Sequence, residues 1–199
     1  MKRIYLASKS IDRATLLKNV NIPFDFLMTD TDEEPYKKKY RSNPIKLVEA
    51  LAKAKAKNAK TLLTKEKRDS VIIAADTIVE LDGEIIGKAK TERQAFQTLK
   101  RLMGRTHNLI TGVAITETNT ANNVFTHDST EVKFMELTDE EIWGYVDSKE
   151  WKGRAGAYSI SNKASLFIES INGSPSNVKG LPMSKIYEIL KEKFDVNLL

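Results

Sequence analysis

One carboxylate, Asp76, sits near the middle of the apolar run Val71-Ile72-Ile73-Ala74-Ala75-Asp76-Thr77-Ile78-Val79. So many β-branched residues predict a strand buried on both faces, where an unpaired charge costs roughly several kcal/mol. Asp76 therefore requires a lysine or arginine, a set of backbone N–H groups, or a metal ion. Lys55 carries a separate signal. A helix from the Asn43-Pro44 start to about Leu63 puts Val48, Leu51, Ala52, Ala59 and Leu62 beside Lys55, and Lys53, Lys57 and Lys60 opposite. Lys55 is then the one lysine on the apolar face. It either snorkels to water or pairs with a structural carboxylate, or it points into a cleft as a phosphate-binding cation. Lys53, Lys57 and Lys60 need no explanation beyond a solvated face.

A second grouping lies at Ala7-Ser8-Lys9-Ser10, just before a helix at Asp12. A strand, a short hydroxyl-bearing loop and a helix N-terminus make an anion site, because first-turn N–H groups point outward and favour negative charge. Ser8 or Ser10 acting only as a helix cap is the plainer use of the same residues. Arg13 falls in that first turn, where a cation opposes the helix dipole unless an anion binds there. Neither a G-x-x-x-x-G-K-[ST] loop nor a G-x-G-x-x-G turn is present, so P-loop and Rossmann sites are poorly supported.

The elements that must position these groups alternate between strand and helix, without repeats or long linkers. Arg3 to Ala7 reads as a strand, Asp12 to Asn19 as a short helix, Phe24 to Thr29 as a strand and Asp30 to Arg41 as a charged loop. Asp82-Gly83 marks a hairpin returning through Glu84-Ile85-Ile86. Thr91 to Gln94 and Thr138 to Glu141 have the capping-box pattern, and Gly104 is placed to stop the first of those helices. Leu109 to Thr116 and Val124 to Phe134 read as paired strands. A glycine-rich turn at Gly153 to Gly156, a strand near Phe167 to Ile171 and an amphipathic helix from Pro182 to Phe194 complete the chain.

The 199 residues, 41% hydrophobic, suffice for one large domain or two lobes sharing a sheet. No apolar segment reaches the ~20 residues of a membrane span, and Ile4 to Ala7 is too short for a secretory core, so a soluble cytoplasmic protein is the default expectation. The chain has no Cys and only two His, His107 and His127, which excludes disulfides, thiolate nucleophiles and a His-rich zinc site. A metal here would be held by oxygen. The net charge of +5 suits anionic ligands or simply solubility.

Taken together, Ala7-Ser8-x-Ser10 with Arg13 and Leu16-Leu17, Glu33, Leu51-Ala52-x-x-Lys55-Ala56, Ala75-Asp76-Thr77, Gly87-Lys88, Gly104-Arg105-x-His107, Thr111-Gly112, Ala155-Gly156-Ala157-Tyr158 and Asn177-x-x-Gly180-Leu181-Pro182 resemble, in order, the Maf family of septum-formation-inhibitor-like nucleoside triphosphate pyrophosphatases. The resemblance covers nearly the whole chain as a single domain, 1–199. It implies an α/β fold, a mixed twisted sheet in two lobes with a central cleft, similar to the inosine triphosphate pyrophosphatases. It also implies metal-assisted attack of water at the α-phosphorus, on dTTP, UTP or modified nucleotides. On this reading Asp76 is the proton acceptor or only a metal ligand, and Lys55 is catalytic. Glu33 and Asp76 hold Mg²⁺, with Mn²⁺ as the alternative ion. Ser8, Ser10, Arg13 and Lys88 bind substrate. Arg105 and His107 are weaker binding candidates, since residues just past a helix stop often only satisfy its last carbonyls. The family also implies a homodimer, for which Trp143, Tyr145 and Trp151 offer apolar surface, although such residues more often belong to a core.

Specificity rests on Asp12, Thr77 and Ser161. The branch associated with dTTP and UTP carries Arg-Arg where this chain has Asp12-Arg13, and Ile-Gln-Gly where it has Ile160-Ser161-Asn162. The branch associated with 7-methylguanosine triphosphate carries a Trp before its paired arginines and another residue where this chain keeps Thr77. Arg154 also replaces a lysine and Ala89 a proline, and a planar guanidinium is not equivalent to a point cation. A different class of function, a nucleotide-sensing or nucleic-acid-binding regulator of cell division, ranks lower. The lysines at Lys37 to Lys39 and Lys53 to Lys67 are interleaved with acids and alanines, not with stacking aromatics.

Overall fold

The computed structural model describes residues 2–63 and 69–199. The end of the lysine-rich segment, residues 64–68, lies outside the described residues. Strand β1 (Arg3–Ala7) leads into α1 (Ile11–Asn19), the two-residue β2 (Asp25–Phe26), α2 (Glu34–Lys39) and the long α3 (Pro44–Leu63). Strand β3 (Ser70–Leu81), β4 (Glu84–Ile86), α4 (Glu92–Leu102), β5 (Thr106–Glu117) and β6 (Asn123–Phe134) follow. The chain continues through α5 (Asp139–Asp147), a 3₁₀ turn (Lys163–Leu166), β7 (Ile168–Asn172), α6 (Pro175–Val178) and α7 (Met183–Phe194).

The strands form one mixed sheet in the order β2-β1-β3-β5-β6-β7, with β4 alongside the far end of β3. β1 and β2 are parallel to β3 or to each other, and the remaining pairings are antiparallel. Long β3 and β5 run through two packing regions. At one end Ile4, Leu6, Val71, Ile73 and Ile115 pack against Ala14 and Leu17 of α1 and Ile186 and Leu190 of α7, while Ala52, Ala56 and Ala59 of α3 cover the other face. At the other end Val79, Leu109, Val132 and Phe134 pack against Leu99 of α4 and Ile142 of α5. These are the expected two lobes.

The pairing of β3 creates the cleft. On one edge β1 pairs as far as Ala7 opposite Ala74, and β4 begins only at Ile86 opposite Val79. Between them that edge has no strand among the described residues. Asp76 and Thr77 fall in this gap, and they are the only residues from Ser70 to Val79 that are not fully buried. The gap lies just beyond the carboxyl end of β1, where open α/β sheets place ligands.

Local signals account for most boundaries. Asn43 Oδ1 accepts from the Lys46 N–H at 2.9 Å and caps α3, Asp82 and Gly83 adopt the left-handed conformation a tight hairpin demands, and Gly104, at φ +68°, follows α4. Thr138 and Glu141 form a complete capping box. At Thr91 the box is opened, because Gln94 Oε1 reaches the Lys90 N–H instead of returning to Thr91.

Other expectations need correction. The predicted strand Phe24 to Thr29 shrinks to β2, because its ladder with β1 holds only Asp25 and Phe26 and ends on the Leu27 N–H bonded to the Leu6 carbonyl at 3.0 Å. The loop Asp30 to Arg41 contains α2, too short and too polar to show a period. Helix α6, with Pro175 in its first turn and Ser174 as cap, also lacked an apolar stripe. Leu62 is 53% exposed while Leu63 is buried, so the apolar face of α3 drifts from Leu62 at its last turn. Tyr145 and Trp151 are core residues, leaving only Trp143 at the surface, stacked on Phe96 at 4.6 Å between ring centroids. Among the described residues, no helix is long and apolar enough to cross a membrane.

Candidate active site

Three elements converge on the gap in β3. Register sets Asp76 opposite Gly112 of β5, and a Cβ at Gly112 would come within 2.3 Å of the Val48 carbonyl carbon and oxygen. Glycine there lets α3 lie directly on the sheet. Two turns along α3, Lys55 then reaches Asp76, with Nζ 2.5 Å from Oδ1. Lys55 also meets Glu33 Oε1 at 2.9 Å, which draws the start of α2 to the same point. The side chains of Lys55 and Asp76 are only 16% and 13% exposed, so removing either partner costs more than breaking a surface pair, because it strands a charge away from water. Asp76 Oδ2 takes no hydrogen bond or ion pair from the described residues. Burial pushes the Glu33 carboxyl up, but hydrogen bonds and charge from Lys55 and Lys37 outweigh it and hold its pKa at about 2.

These groups floor a cleft of about 450 Å³. The β1–α1 wall supplies Ser8 to Arg13, the opposite wall supplies Lys88, Lys152 to Ala155 and Tyr158 to Ile160, and Leu109, Val178, Lys179 and Gly180 close the far side. Cations outnumber acids: Lys9, Arg13, Lys55, Lys88, Lys152, Arg154 and Lys179 stand against Asp12, Asp30, Glu33 and Asp76. Protein packed round the Lys88 ammonium pushes its pKa down, and Arg13 and Lys55 act in the same direction, while Asp76 and Glu33 oppose it. Among the described residues Lys88 makes no ion pair, and Asp76 and Glu33 act on it only at a distance, so its charge is free for a ligand.

The structure brings Ser8, Ser10, Asp12, Arg13, Glu33, Lys55, Asp76, Thr77 and Lys88 together around the cleft. The two serines have internal uses. Ser8 Oγ accepts from the Ser10 N–H and from Arg13, each at 3.1 Å, and Ser10 Oγ receives the Arg13 N–H at a long 3.5 Å. The anion-binding capacity of this wall therefore lies in the first-turn N–H groups of α1 more than in the hydroxyls. Arg13 needs no anion to explain it, because its buried guanidinium is bonded to protein acceptors. Burial pushes its pKa down, and Asp76, Asp12 and Glu33 pull it back up.

Three candidates do not reach the cleft wall. Arg105 is tied to Asp82 at the surface. His107 points into the core, 1% exposed, with Nε2 2.9 Å from the Tyr158 hydroxyl and Nδ1 without a partner among the described residues; burial pushes its pKa down to about 4. It supports the cleft only from behind, through Tyr158. Ser161 is exposed, and the wall is instead made by Ser159 and Ile160. Lys60 likewise departs from expectation, since its ammonium is bonded to the carbonyls of Glu117 and Thr120, both at 2.7 Å.

Sequence reasoning missed Lys9, Lys152, Lys179, Tyr158 and Ser159 as cleft residues. The signal available was a cation beside each glycine turn, at Lys152-Gly153-Arg154 and Lys179-Gly180. It also missed that Asp12 and Arg154 form an ion pair, with Arg154 Nε held by the Glu150 carbonyl at 2.8 Å.

The family described as Maf-like protein matches residues 3–193. The chain belongs to the Maf-like family. Similar relatives match nearly its full extent. One from Alkaliphilus metalliredigens, named dTTP/UTP pyrophosphatase, is 41% identical over 199 residues, all of both chains. A Caldanaerobacter subterraneus relative of the same name is 41% identical over 98% of this chain and 90% of its own. Another of that name, from Carboxydothermus hydrogenoformans, is 40% identical over 96% of this chain and 98% of its own. The α/β sheet, two lobes and central cleft fit membership of this Maf-like family.

Proposed function

We propose that this chain hydrolyses nucleoside triphosphates to the monophosphate and pyrophosphate, with dTTP and UTP as the first substrates to test. The observation that carries this reading is the Asp76–Lys55–Glu33 cluster at the floor of a cationic cleft, beside the N-terminus of α1. The names of relatives 40–41% identical over nearly the whole chain support it.

The chemistry follows from charge. Attack of water at the α-phosphorus builds negative charge on the phosphate oxygens, and preorganised cations in a partly desolvated site stabilise that charge most effectively. Lys88, the α1 amides and Lys9 hold the triphosphate. Lys55 orients the Asp76 carboxylate through Oδ1, leaving Oδ2 to accept a hydrogen bond or the proton of the attacking water.

A divalent cation belongs to the same proposal. Among the described residues no group of three or more His or acidic side chains could hold one by itself. Asp76 and Glu33 nevertheless fit Mg²⁺, which needs only one or two carboxylates together with substrate phosphates and water, and the unpartnered Oδ2 of Asp76 is a donor of the right kind. When bound, the ion would polarise phosphate oxygens and acidify water.

The test is a panel of common and modified nucleoside triphosphates scored separately for pyrophosphate and orthophosphate, with and without Mg²⁺. Metal-dependent pyrophosphate release is the expected result. Orthophosphate as the product, or no turnover of any nucleotide, overturns the proposal.

A further inference from the structure

Arg13 does work that phosphate binding does not describe. Four of its five N–H donors are bonded to the protein: Nε to the Gly180 carbonyl at 2.9 Å, Nη1 to Ser8 Oγ at 3.1 Å and the Ala75 carbonyl at 2.8 Å, and Nη2 to Thr77 Oγ1 at 2.9 Å. Ala75 and Thr77 are the immediate neighbours of Asp76. One planar, rigid fork thus grips β3 on both sides of the carboxylate, in the stretch where that edge of the strand has neither β1 nor β4 beside it. A buried carbonyl in such a gap must find a donor, and Arg13 supplies the one a missing strand would have given. The grip extends inward, since Thr77 Oγ1 meets Thr111 Oγ1 at 3.0 Å and Thr111 donates to the Asn177 carbonyl at 3.2 Å. Gly180 is fitted to it too: at φ +96°, a Cβ there would stand 2.9 Å from Arg13 Nε and 3.1 Å from Thr77 Oγ1.

We propose that Arg13 is a positioning residue, which fixes Asp76 for the hydrolysis through Ala75 and Thr77 instead of binding the triphosphate. This rests on the pyrophosphatase reading above. A lysine keeps the charge but cannot reproduce a planar fork with four bonds in three directions, whereas Thr77→Val removes one acceptor and leaves the guanidinium intact.

The experiment compares wild type, Arg13→Lys, Thr77→Val and Thr77→Ser, each normalised to folded protein by circular dichroism. It measures kcat, KM and the inhibition constant of inorganic pyrophosphate, which reports phosphate binding directly. The expected result is a fall in kcat of about 30-fold for Arg13→Lys and about 5-fold for Thr77→Val, with KM and the pyrophosphate inhibition constant within about 3-fold of wild type. Thr77→Ser, which keeps the hydroxyl, retains kcat within about 2-fold, and the Thr77 pair carries the test if Arg13→Lys does not fold. A rise of about 10-fold or more in the pyrophosphate inhibition constant of Arg13→Lys, an unchanged kcat per folded molecule in that variant, or equal kcat values for the two Thr77 variants overturns the inference. If wild type releases no pyrophosphate, the pyrophosphatase reading fails and takes this one with it. Wild type active with variants out of pattern fails this one alone.

Discussion

Lys55→Ala probes the cluster at its centre. Lys55 holds two carboxylates at once, Asp76 at 2.5 Å and Glu33 at 2.9 Å, from a side chain 16% exposed. Charge-assisted contacts of this kind are worth ~1.5–3 kcal/mol each, and removing one partner leaves the other charge unpaired. Part of that cost falls equally on the free enzyme, so we expect a loss of at least ~2 kcal/mol in transition-state stabilisation, or about 30-fold in kcat/KM. The assay is pyrophosphate release at saturating Mg²⁺, counted per folded molecule, with Lys57→Ala as the control. Lys57 lies on the exposed face of the same helix and should stay within ~0.5 kcal/mol of wild type. A second signature is acid stability. The lowered pKa of Glu33 contributes stability that is complete above its ordinary value of 4.5 and lost as the pH falls towards about 2. Lys55→Ala should flatten that part of the stability curve. Equal effects of the two substitutions, or loss of stability with full activity per folded Lys55→Ala molecule, would show that Lys55 serves only the fold.

The remaining expectations are as direct. Asp76→Asn keeps the shape of the side chain but removes its charge, so purified, folded variant should release no pyrophosphate above background, and near wild-type turnover would eliminate both roles given to Asp76. His107, held neutral by burial with a pKa of about 4 against an ordinary 6.5, binds fewer protons in the folded state than in the unfolded state between those values. Stability should therefore fall by up to about 3 kcal/mol as the pH drops from ~6.5 to ~4, and denaturant melts of His107→Phe should lose that component. Asp12→Ala releases Arg154 on the cleft wall and should change the ranking of nucleotides by about 10-fold, whereas Ser161→Ala, outside the wall, should leave kcat/KM ratios within about 2-fold.

Much of the site was legible because burial and charge conflict in the sequence itself. A carboxylate in a β-branched run and a lysine on an apolar helix face each demand a partner, and the fold makes them partners of each other. Turn and cap chemistry marked Asn43, Asp82-Gly83 and Thr138 for equally local reasons. What stayed hidden depends on contacts far apart in sequence. Asp12 and Arg154 are separated by 142 positions, and the bonds of Arg13 reach Ala75, Thr77 and Gly180. Arg105 and His107 looked alike as a motif, but Arg105 precedes β5 and stays at the surface while the pleat turns His107 into the core. Short α2 and α6 carry too few turns for a hydrophobic period to register.

In the proposed reaction, water attacks the α-phosphorus in this cleft. Turnover of dTTP or UTP in ¹⁸O-labelled water, with both products analysed by mass spectrometry, tests it most directly. Attack at the α-phosphorus puts one labelled oxygen in the nucleoside monophosphate and none in the pyrophosphate. Label in pyrophosphate, or release of orthophosphate with a nucleoside diphosphate, would contradict it.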